Sequence, residues 1–388
     1  MKRRPDLPPR TRGRIARRLT AAAAFGRFEL PVCEDCGTVI FPVQEICPEC
    51  LSDRLRWQQT SPVGTLLSHT VVHHSTDPYF DRVKPVAMGN VRLDVGPVIF
   101  ARLGQDCAAA GTRVRLFNLL DRSGEQVFVA TAESVRREPN VIADPNREIK
   151  GRTVLITGAT GGIGRALVKA FVTAGAARVY AAARAAAFDG DEIVRPLALD
   201  ITDAASVQAV ADAVGAEVDI LVNNAGVTAT SGLLDADTID GARREIEVNY
   251  LGTLGVIRAF APHMKQRGQG VIVNVLTVLA HSCLPSMGSY CASKAAALSM
   301  TQGVRAELMP WGVRVAALFP STVDTEASAD SPPPKLRPSQ VADDLVVMIR
   351  DGVEDCYPGR VAQTLYAGWR EDPKVVEREM SLALPEPP

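Results

Sequence analysis

Thr157-Gly158-Ala159-Thr160-Gly161-Gly162-Ile163-Gly164 decides the fold of the larger part of this chain. The apolar run Thr153–Thr157 precedes it and the helix-like stretch Ile163–Ala174 follows it. The glycines therefore fall on a strand–turn–helix junction. Glycine is needed where backbone turns sharply and approaches a phosphate closely. The helix beyond offers free N–H groups and a positive dipole end to a pyrophosphate.

Outward from this junction, strand-like and helix-like runs alternate. Arg178–Ala182, Val194–Leu199, Ile220–Asn223, Val271–Val275 and Val313–Leu318 read as further strands. Asp203–Val214, Ile239–His263 and Met287–Met309 read as helices between them. Such alternation predicts an α/β fold with a doubly wound parallel Rossmann sheet. The strands are apolar throughout, as expected where helices cover both faces. The Pro-rich segment Ser331–Pro338 is expected to be a mobile loop over the sheet edge, and the tail Leu384–Pro388 to be frayed.

Further motifs follow in order. Asp200 ends the third strand, where a carboxylate can accept a hydrogen bond from an adenine amino group. Asn223-Asn224-Ala225-Gly226 ends the fourth strand, and Asn249 lies in the next helix. Tyr290-Cys291-Ala292-Ser293-Lys294 starts another helix, and Pro320-Ser321-Thr322-Val323-Asp324-Thr325 follows the sixth strand. Together, over residues 151 to 365, these resemble the short-chain dehydrogenase/reductase family. The resemblance implies nucleotide contacts at Gly158, Thr160, Gly162, Ile163, Gly164, Asn224, Ala225, Gly226, Pro320, Val323 and Thr325. It also implies that Lys294 binds the nicotinamide ribose and that Asn249 holds a water in a proton relay.

Tyr290 and Lys294 are four residues apart and share one helix face. A nearby ammonium favours phenolate, so Tyr290 is expected to titrate below the ordinary tyrosine value and to exchange a proton with a carbonyl or alcohol oxygen. The family places a serine thirteen positions before this tyrosine; here that position is Thr277. Threonine keeps the hydroxyl, but its methyl restricts rotamers. His281, Ser282 and Cys283 follow in the next loop, outside that register. Ser321 stands where the family commonly has glycine, which is expected to restrict the loop over the nicotinamide. After the second strand come Ala183 and Arg184, with no carboxylate for ribose hydroxyls. An unopposed arginine can pair with a 2′-phosphate, so NADP is expected over NAD. An ordinary solvated Arg184 is the alternative.

The first half reads differently. Val63–Val72, Val86–Leu93, Val98–Leu103, Arg113–Phe117 and Gln126–Ala130 are short strands without long helices between them, suggesting a small OB-like β-barrel. Before them, Cys33-x-x-Cys36 and Cys47-x-x-Cys50 are separated by ten residues. Four thiolates at this spacing predict a closed tetrahedral structural zinc, against free thiols or two local disulfides. His69, His73 and His74 read as polar positions on a barrel face rather than a second metal site. The knuckles, with Phe41-Pro42, Gly64-Thr65-Leu66, Thr70-Val71-Val72-His73 and Gly111-Thr112-Arg113-Val114, make Phe28 to Glu133 resemble the zinc-ribbon/OB-fold family associated with acyl-CoA metabolism. That resemblance implies binding of acyl-CoA or of a thiolase-like or hydratase-like partner.

The 388 residues allow two or three domains at roughly 100–200 residues each. The expected divisions are a basic N-terminal arm or helix (1–30), a zinc-ribbon and OB-fold domain (31–138), a polar linker (139–150) and the Rossmann domain (151–388). The arm also has the Arg-rich, acid-poor character of a transit peptide, but Arg14–Ala24 reads as an ordinary exposed helix leading into a domain, which is the favoured reading. A net charge of −1 gives no global attraction to nucleic acid or membrane, and acids and bases roughly balance from Pro31 to Lys150. No apolar run approaches the roughly 18 residues of a membrane span. Paired cysteines point to a reducing, cytoplasmic compartment. The sequence thus reads as a carbonyl reductase or alcohol dehydrogenase, acyl-CoA-linked by its fusion (for example to a 3-oxoacyl-CoA). The other reading is an accessory partner of a thiolase-like enzyme. By resemblance the chain is expected to form a homo-oligomer.

Overall fold

The structure is a computed structural model and describes residues 7–8, 13, 15–107, 109–136, 141–142, 144–185, 192–229, 232–234 and 236–383. The expected frayed tail, Leu384–Pro388, lies outside these. The described residues divide into two compact units, one holding residues 7–147 with 351–353, the other 148–350 with 354–383.

In the first unit, α1 (Arg17–Ala24) leads into β1 (Glu29–Cys33) and β2 (Leu55–Gln59), which pair antiparallel with Cys33 opposite Leu55. Then come β3 (Val63–Val72), α2 (Pro78–Val83), β4 (Val86–Leu93), β5 (Val98–Leu103), β6 (Arg113–Leu120) and β7 (Gln126–Ala132). These five strands close into a barrel in the order β3-β4-β5-β7-β6. Alternation fills its interior: Val91 and Leu93 are buried while Asn90 and Arg92 are exposed. Leu66, Val91, Ile99, Leu116 and Phe128 form the core. The register of β3 shifts between Leu66 and Ser68, and beyond that bulge its residues are exposed on both faces.

The helix α1 is not the exposed helix that its arginines suggested. Leu19, Ala22 and Ala23 are buried, and Leu19 belongs to the barrel core. Asn118 Nδ2 donates to the carbonyls of Leu19 (3.2 Å) and Arg27 (3.0 Å), tying the helix and its exit to β6. The three buried residues occupy i, i+3 and i+4, a stripe that neighbouring Arg17 and Arg18 obscure in the sequence.

The second unit holds β8 (Thr153–Thr157), α3 (Gly162–Thr173), β9 (Arg178–Ala183), β10 (Val194–Ala198), α4 (Ala204–Val214), β11 (Ile220–Asn223), α5 (Asp240–Ile246), α6 (Thr253–Arg267), β12 (Gly270–Val275), α7 (Gly288–Leu308), β13 (Val313–Leu318), α8 (Pro338–Asp351), β14 (Asp355–Cys356), α9 (Gly359–Glu371) and α10 (Pro373–Ser381). All seven strands are parallel, in the order β10-β9-β8-β11-β12-β13-β14. The order reverses between β8 and β11, so a crevice opens at their carboxyl ends. The predicted six strands are present; β14 adds a seventh that is too short to carry a pattern. Ile239–His263, read as one helix, is α5 and α6 joined by a π-helical turn, Glu247–Gly252. Within Ser331–Pro338, Leu336 bridges to Val323, and Lys335 Nζ donates to the carbonyls of Ser328 (2.8 Å) and Ala329 (2.9 Å). That segment is tied down, not merely draped. Among the described residues, no helix is long and apolar enough to cross a membrane.

Candidate active site

The turn after β8 is packed against the end of β11. Gly158 has φ +64°, and a Cβ there would lie 2.8 Å from Ala225 Cα; one on Gly164 would lie 2.2 Å from the Gly158 carbonyl oxygen. Only glycine fits either position. Thr157 Oγ1 accepts from the amides of Asn224 (3.0 Å) and Ala225 (3.1 Å). Asn224 Nδ2 donates back to the carbonyls of Thr157 and Gly158, both at 3.0 Å. The helix α3 begins at Gly161 with no side-chain cap, so its first N–H groups face outward for an anion.

A cavity of about 390 Å³ opens here. Gly158, Thr160, Gly162, Ile163, Gly164, Arg184, Asp200, Asn224, Ala225, Gly226 and Thr325 line it, all picked out in the sequence; Leu199, Val248 and Arg244 line it as well and were not. Arg184 and Arg244 are exposed and both bear on Asp200. Hydrogen bonds from the hydroxyl and amide of Thr202, at 2.7 and 2.9 Å, hold the Asp200 carboxyl below its ordinary range, and the two guanidiniums add to this. The glycine cradle, the uncapped helix and two guanidiniums fit a nicotinamide dinucleotide. Pro320 and Val323 lie outside this lining.

Lys294, Asn249 and Gly226 converge. A Cβ on Gly226 would meet Asn249 Oδ1 at 3.1 Å and Lys294 Nζ at 3.5 Å. Lys294 Nζ donates to the Val275 carbonyl at 3.1 Å and lies 5.8 Å from the centre of the Tyr290 ring. Asn249, in the π turn, accepts from the Val227 amide and donates to the Val227 carbonyl, both at 2.9 Å. Its amide nitrogen also donates to Ser293 Oγ at 2.9 Å. Turns of this kind recur at functional sites because they re-aim one residue. The electrostatics differ from expectation at Tyr290. Burial pushes its phenol above the ordinary value, and Cys291 and Glu245 push the same way. Burial also holds Lys294 down to about 8, so this ammonium is a weak counter-charge in the interior.

Thr277 is buried and caps the turn Val278–Ala280. Its hydroxyl accepts from the Leu279 amide (3.3 Å) and donates to the Pro320 carbonyl (3.2 Å). His281 closes that turn, hydrogen-bonds Tyr357 Oη at 3.0 Å and lies about 5 Å from the rings of Phe319, Tyr366 and Trp369. Ser321 has an ordinary backbone conformation, since Leu51 is the only described non-glycine with positive φ. Among the described residues its buried hydroxyl has no hydrogen-bond partner. Sequence reasoning also passed over Ser293, fully buried within the Tyr-x-x-x-Lys stretch, and Glu245, whose fractional exposure is 1%.

In the first unit, Cys33, Cys36, Cys47 and Cys50 bring their four sulfurs within 4.8 Å of one another. Cys33–Cys50 and Cys36–Cys47 are each 3.5 Å apart. Tetrahedral Zn–S bonds of about 2.3 Å imply sulfur separations of about 3.8 Å, so the cluster fits a structural zinc with no open position. It is the only such metal-ligand group among the described residues. His69, His73 and His74 are exposed and form none.

Residues 152–335 match the family described as short chain dehydrogenase. Residues 20–56 match the rubredoxin-like zinc ribbon domain of ChsH2, and residues 57–117 its C-terminal OB-fold domain. The chain is 38% identical over 190 residues to a D-threitol dehydrogenase of Mycolicibacterium smegmatis, covering 46% of this chain and 72% of the relative. It is 32% identical over 241 residues to human dehydrogenase/reductase SDR family member 7, covering 58% and 69%. A short chain dehydrogenase from Burkholderia cenocepacia solved in complex with NADP superposes with a TM-score of 0.58 at 40% identity, over 60% of this chain and 98% of that one.

Proposed function

The chain belongs to the short-chain dehydrogenase family, and on that premise we propose that it is an NADP-preferring carbonyl reductase or alcohol dehydrogenase whose proton donor is Tyr290. The observation that carries this reading is the convergence of Lys294 Nζ and Asn249 Oδ1 on Gly226, which also lines the glycine-cradled cavity at the carboxyl ends of the strands. A bound nicotinamide supplies or takes the hydride. Tyr290 gives its proton to the carbonyl oxygen, or takes one from the alcohol. Thr277 holds that oxygen when its hydroxyl turns from the Pro320 carbonyl. Lys294 and Asn249 hold the coenzyme ribose and the relay water. Ala183, followed by Arg184, supports NADP, and Arg244 adds a second cation on the same cavity wall.

The first unit supports an acyl-CoA-linked substrate such as a 3-oxoacyl-CoA, or capture of a thiolase-like partner, with the zinc holding the ribbon. The test is coenzyme oxidation by the full chain with simple ketones, aldehydes and oxoacyl-CoA esters, using NADPH and NADH side by side. Turnover with NADPH and at least one carbonyl supports the reading. Coenzyme binding without turnover on any carbonyl or alcohol would favour an accessory role.

A further inference from the structure

Arg102 is a buried charge in the first unit that the proposed chemistry leaves unused. It lies near the end of β5, opposite Met88 of β4 and Val129 of β7. Ile99, Ala101 and Leu103 of the same strand belong to the barrel core, so alternation turns Arg102 to the outer face. Val98 and Phe100 share that face and are exposed, whereas Arg102 keeps only 6% of its surface exposed. Its guanidinium lies over the Phe80 ring of α2, 5.3 Å from the ring centre, and its charge bears on the neighbouring Tyr79 phenol. Tyr79 Oη is itself buried with no hydrogen-bond partner among the described residues.

Arg102 lines a cavity of about 730 Å³ where β4 begins and β5 ends. Val71, Val83, Pro85, Val86, Leu103 and Ile142 supply its apolar wall. Among the described residues, Arg102 is the only cation on that wall and Asp106 the only acid. Asp106 is engaged elsewhere, its Oδ2 accepting from the Ala132 amide at 2.8 Å. No described carboxylate forms an ion pair with Arg102. An arginine is rarely this buried unless paired, because stripping water from a charge is costly. Its planar fork of N–H donors matches the two oxygens of a carboxylate.

We propose that this cavity binds an apolar monocarboxylic acid, with the carboxylate on the Arg102 guanidinium and the aliphatic body along the Val71, Val83 and Val86 wall. Its volume lies in the range of sites that enclose small organic ligands. The single cation decides the class. Coenzyme A concentrates several phosphate charges, and this wall would meet them with one guanidinium and an opposing Asp106. A free acid brings one charge and an apolar body, which is what the wall complements. The cavity shares no lining residue with the glycine-cradled one, and the inference does not depend on the hydride chemistry.

The test is calorimetric titration of the full chain with decanoate, decanol and decanoyl-CoA. Decanoate should bind the parent about tenfold or more tightly than decanol, since only the acid engages the buried guanidinium. Arg102→Gln removes the charge and should abolish that advantage while leaving the affinity for decanol unchanged. Val86→Trp fills the cavity and keeps Arg102; it should weaken acid and alcohol alike. Circular dichroism establishes that each variant is folded. Should Arg102→Gln fail to fold, Val86→Trp and the comparison of acid with alcohol on the parent decide the matter. Repeating the decanoate titration with NADPH at saturation should change nothing, and loss of the signal there would move the acid to the glycine-cradled cavity and overturn the proposal. Parent-like decanoate affinity in Arg102→Gln or in Val86→Trp, or no decanoate binding at all, overturns it too. Decanoyl-CoA that binds as tightly as decanoate, and is weakened equally by Arg102→Gln, would give the cavity to the CoA ester instead of the free acid.

Discussion

Asn249 donates through its amide nitrogen to Ser293 Oγ at 2.9 Å, and Ser293 Oγ in turn donates to the Tyr290 carbonyl at 2.7 Å. Ser293, which lies between Tyr290 and Lys294 in the chain, thus links the π turn to the first turn of α7. Replacing Ser293 by alanine leaves a buried Asn249 donor with one partner fewer. Stability should fall by about 1–3 kcal/mol, and kcat should fall while coenzyme affinity changes little. Chemical denaturation and steady-state kinetics check both. Unchanged kcat with lowered stability would reduce Ser293 to a purely structural role.

Thr277 offers a second test. Its hydroxyl is engaged by the Pro320 carbonyl and the Leu279 amide, so it must turn to meet a substrate oxygen. Thr277→Ser keeps the hydroxyl and frees the rotamer, and activity should be retained or raised. Thr277→Ala loses both the cap and the donor, and kcat should fall by about 10²-fold, as for other removed oxyanion donors. Parent-like activity in Thr277→Ala would remove Thr277 from the site.

The fold was legible because its signals are local. The glycine turn at Gly158–Gly164 and the apolar strands β8, β11 and β12 state their geometry residue by residue. The paired cysteines do the same. What stayed hidden depends on tertiary neighbours. Glu245 and Arg244 are consecutive charged residues on one helix, yet one is buried with its carboxylate on the Ala229 amide and the other lines the cavity. No pattern in Arg243-Arg244-Glu245-Ile246 separates them. The π turn at Asn249 was hidden because its side-chain periodicity differs from an α-helix by one residue. The rise of the Tyr290 phenol was hidden because spacing reveals the lysine but not the desolvation.

Coenzyme choice follows from the cavity wall. Arg184 and Arg244 both bear on Asp200 at its rim, and Ala183 offers no carboxylate to ribose hydroxyls. Arg184→Ala should weaken NADPH binding by about tenfold or more while changing NADH binding little, since a charge-assisted bond to phosphate is lost. Arg244→Ala should act in the same direction and less strongly. Fluorescence titration with both coenzymes decides it. Equal losses for the two coenzymes, or tighter NADH binding in the parent, would refute the preference.

Lys294 sets a pH limit. Burial lowers its value from 10.5 to about 8, so the folded protein loses this ammonium as pH rises through about 8. In the proposed chemistry, carbonyl reduction uses the Lys294 ammonium at the ribose. The free-enzyme profile of kcat/KM should therefore fall above about pH 8, instead of near the ordinary lysine value. Lys294→Arg does not titrate in that range and should lose this limb at whatever residual rate it has. A parent profile that stays flat up to pH 10 would contradict the lowered value.

The zinc site and the hydride site should respond independently to metal removal. The cluster is closed, with four sulfurs and no open coordination position, so it has no chemistry to lend to Tyr290. Its work is to hold β1, β2 and the two knuckles, which have a small core of their own built on Cys33, Ile40 and Cys47. Metal binding supplies folding energy in such ribbons because the unfolded thiols form no site. Cys47→Ser removes a fully buried ligand and should release zinc and unfold the ribbon locally. Reduction of a small, freely diffusing ketone should survive this change. Use of CoA esters, or capture of an acyl-processing partner, should be lost. Zinc content, proteolysis within residues 28–60, and kinetics on a ketone and an oxoacyl-CoA should be followed on one preparation. Loss of the small-ketone activity together with zinc would show that the ribbon supports the hydride site after all. Unchanged CoA-ester turnover and partner capture would show that the first unit has no acyl-CoA role.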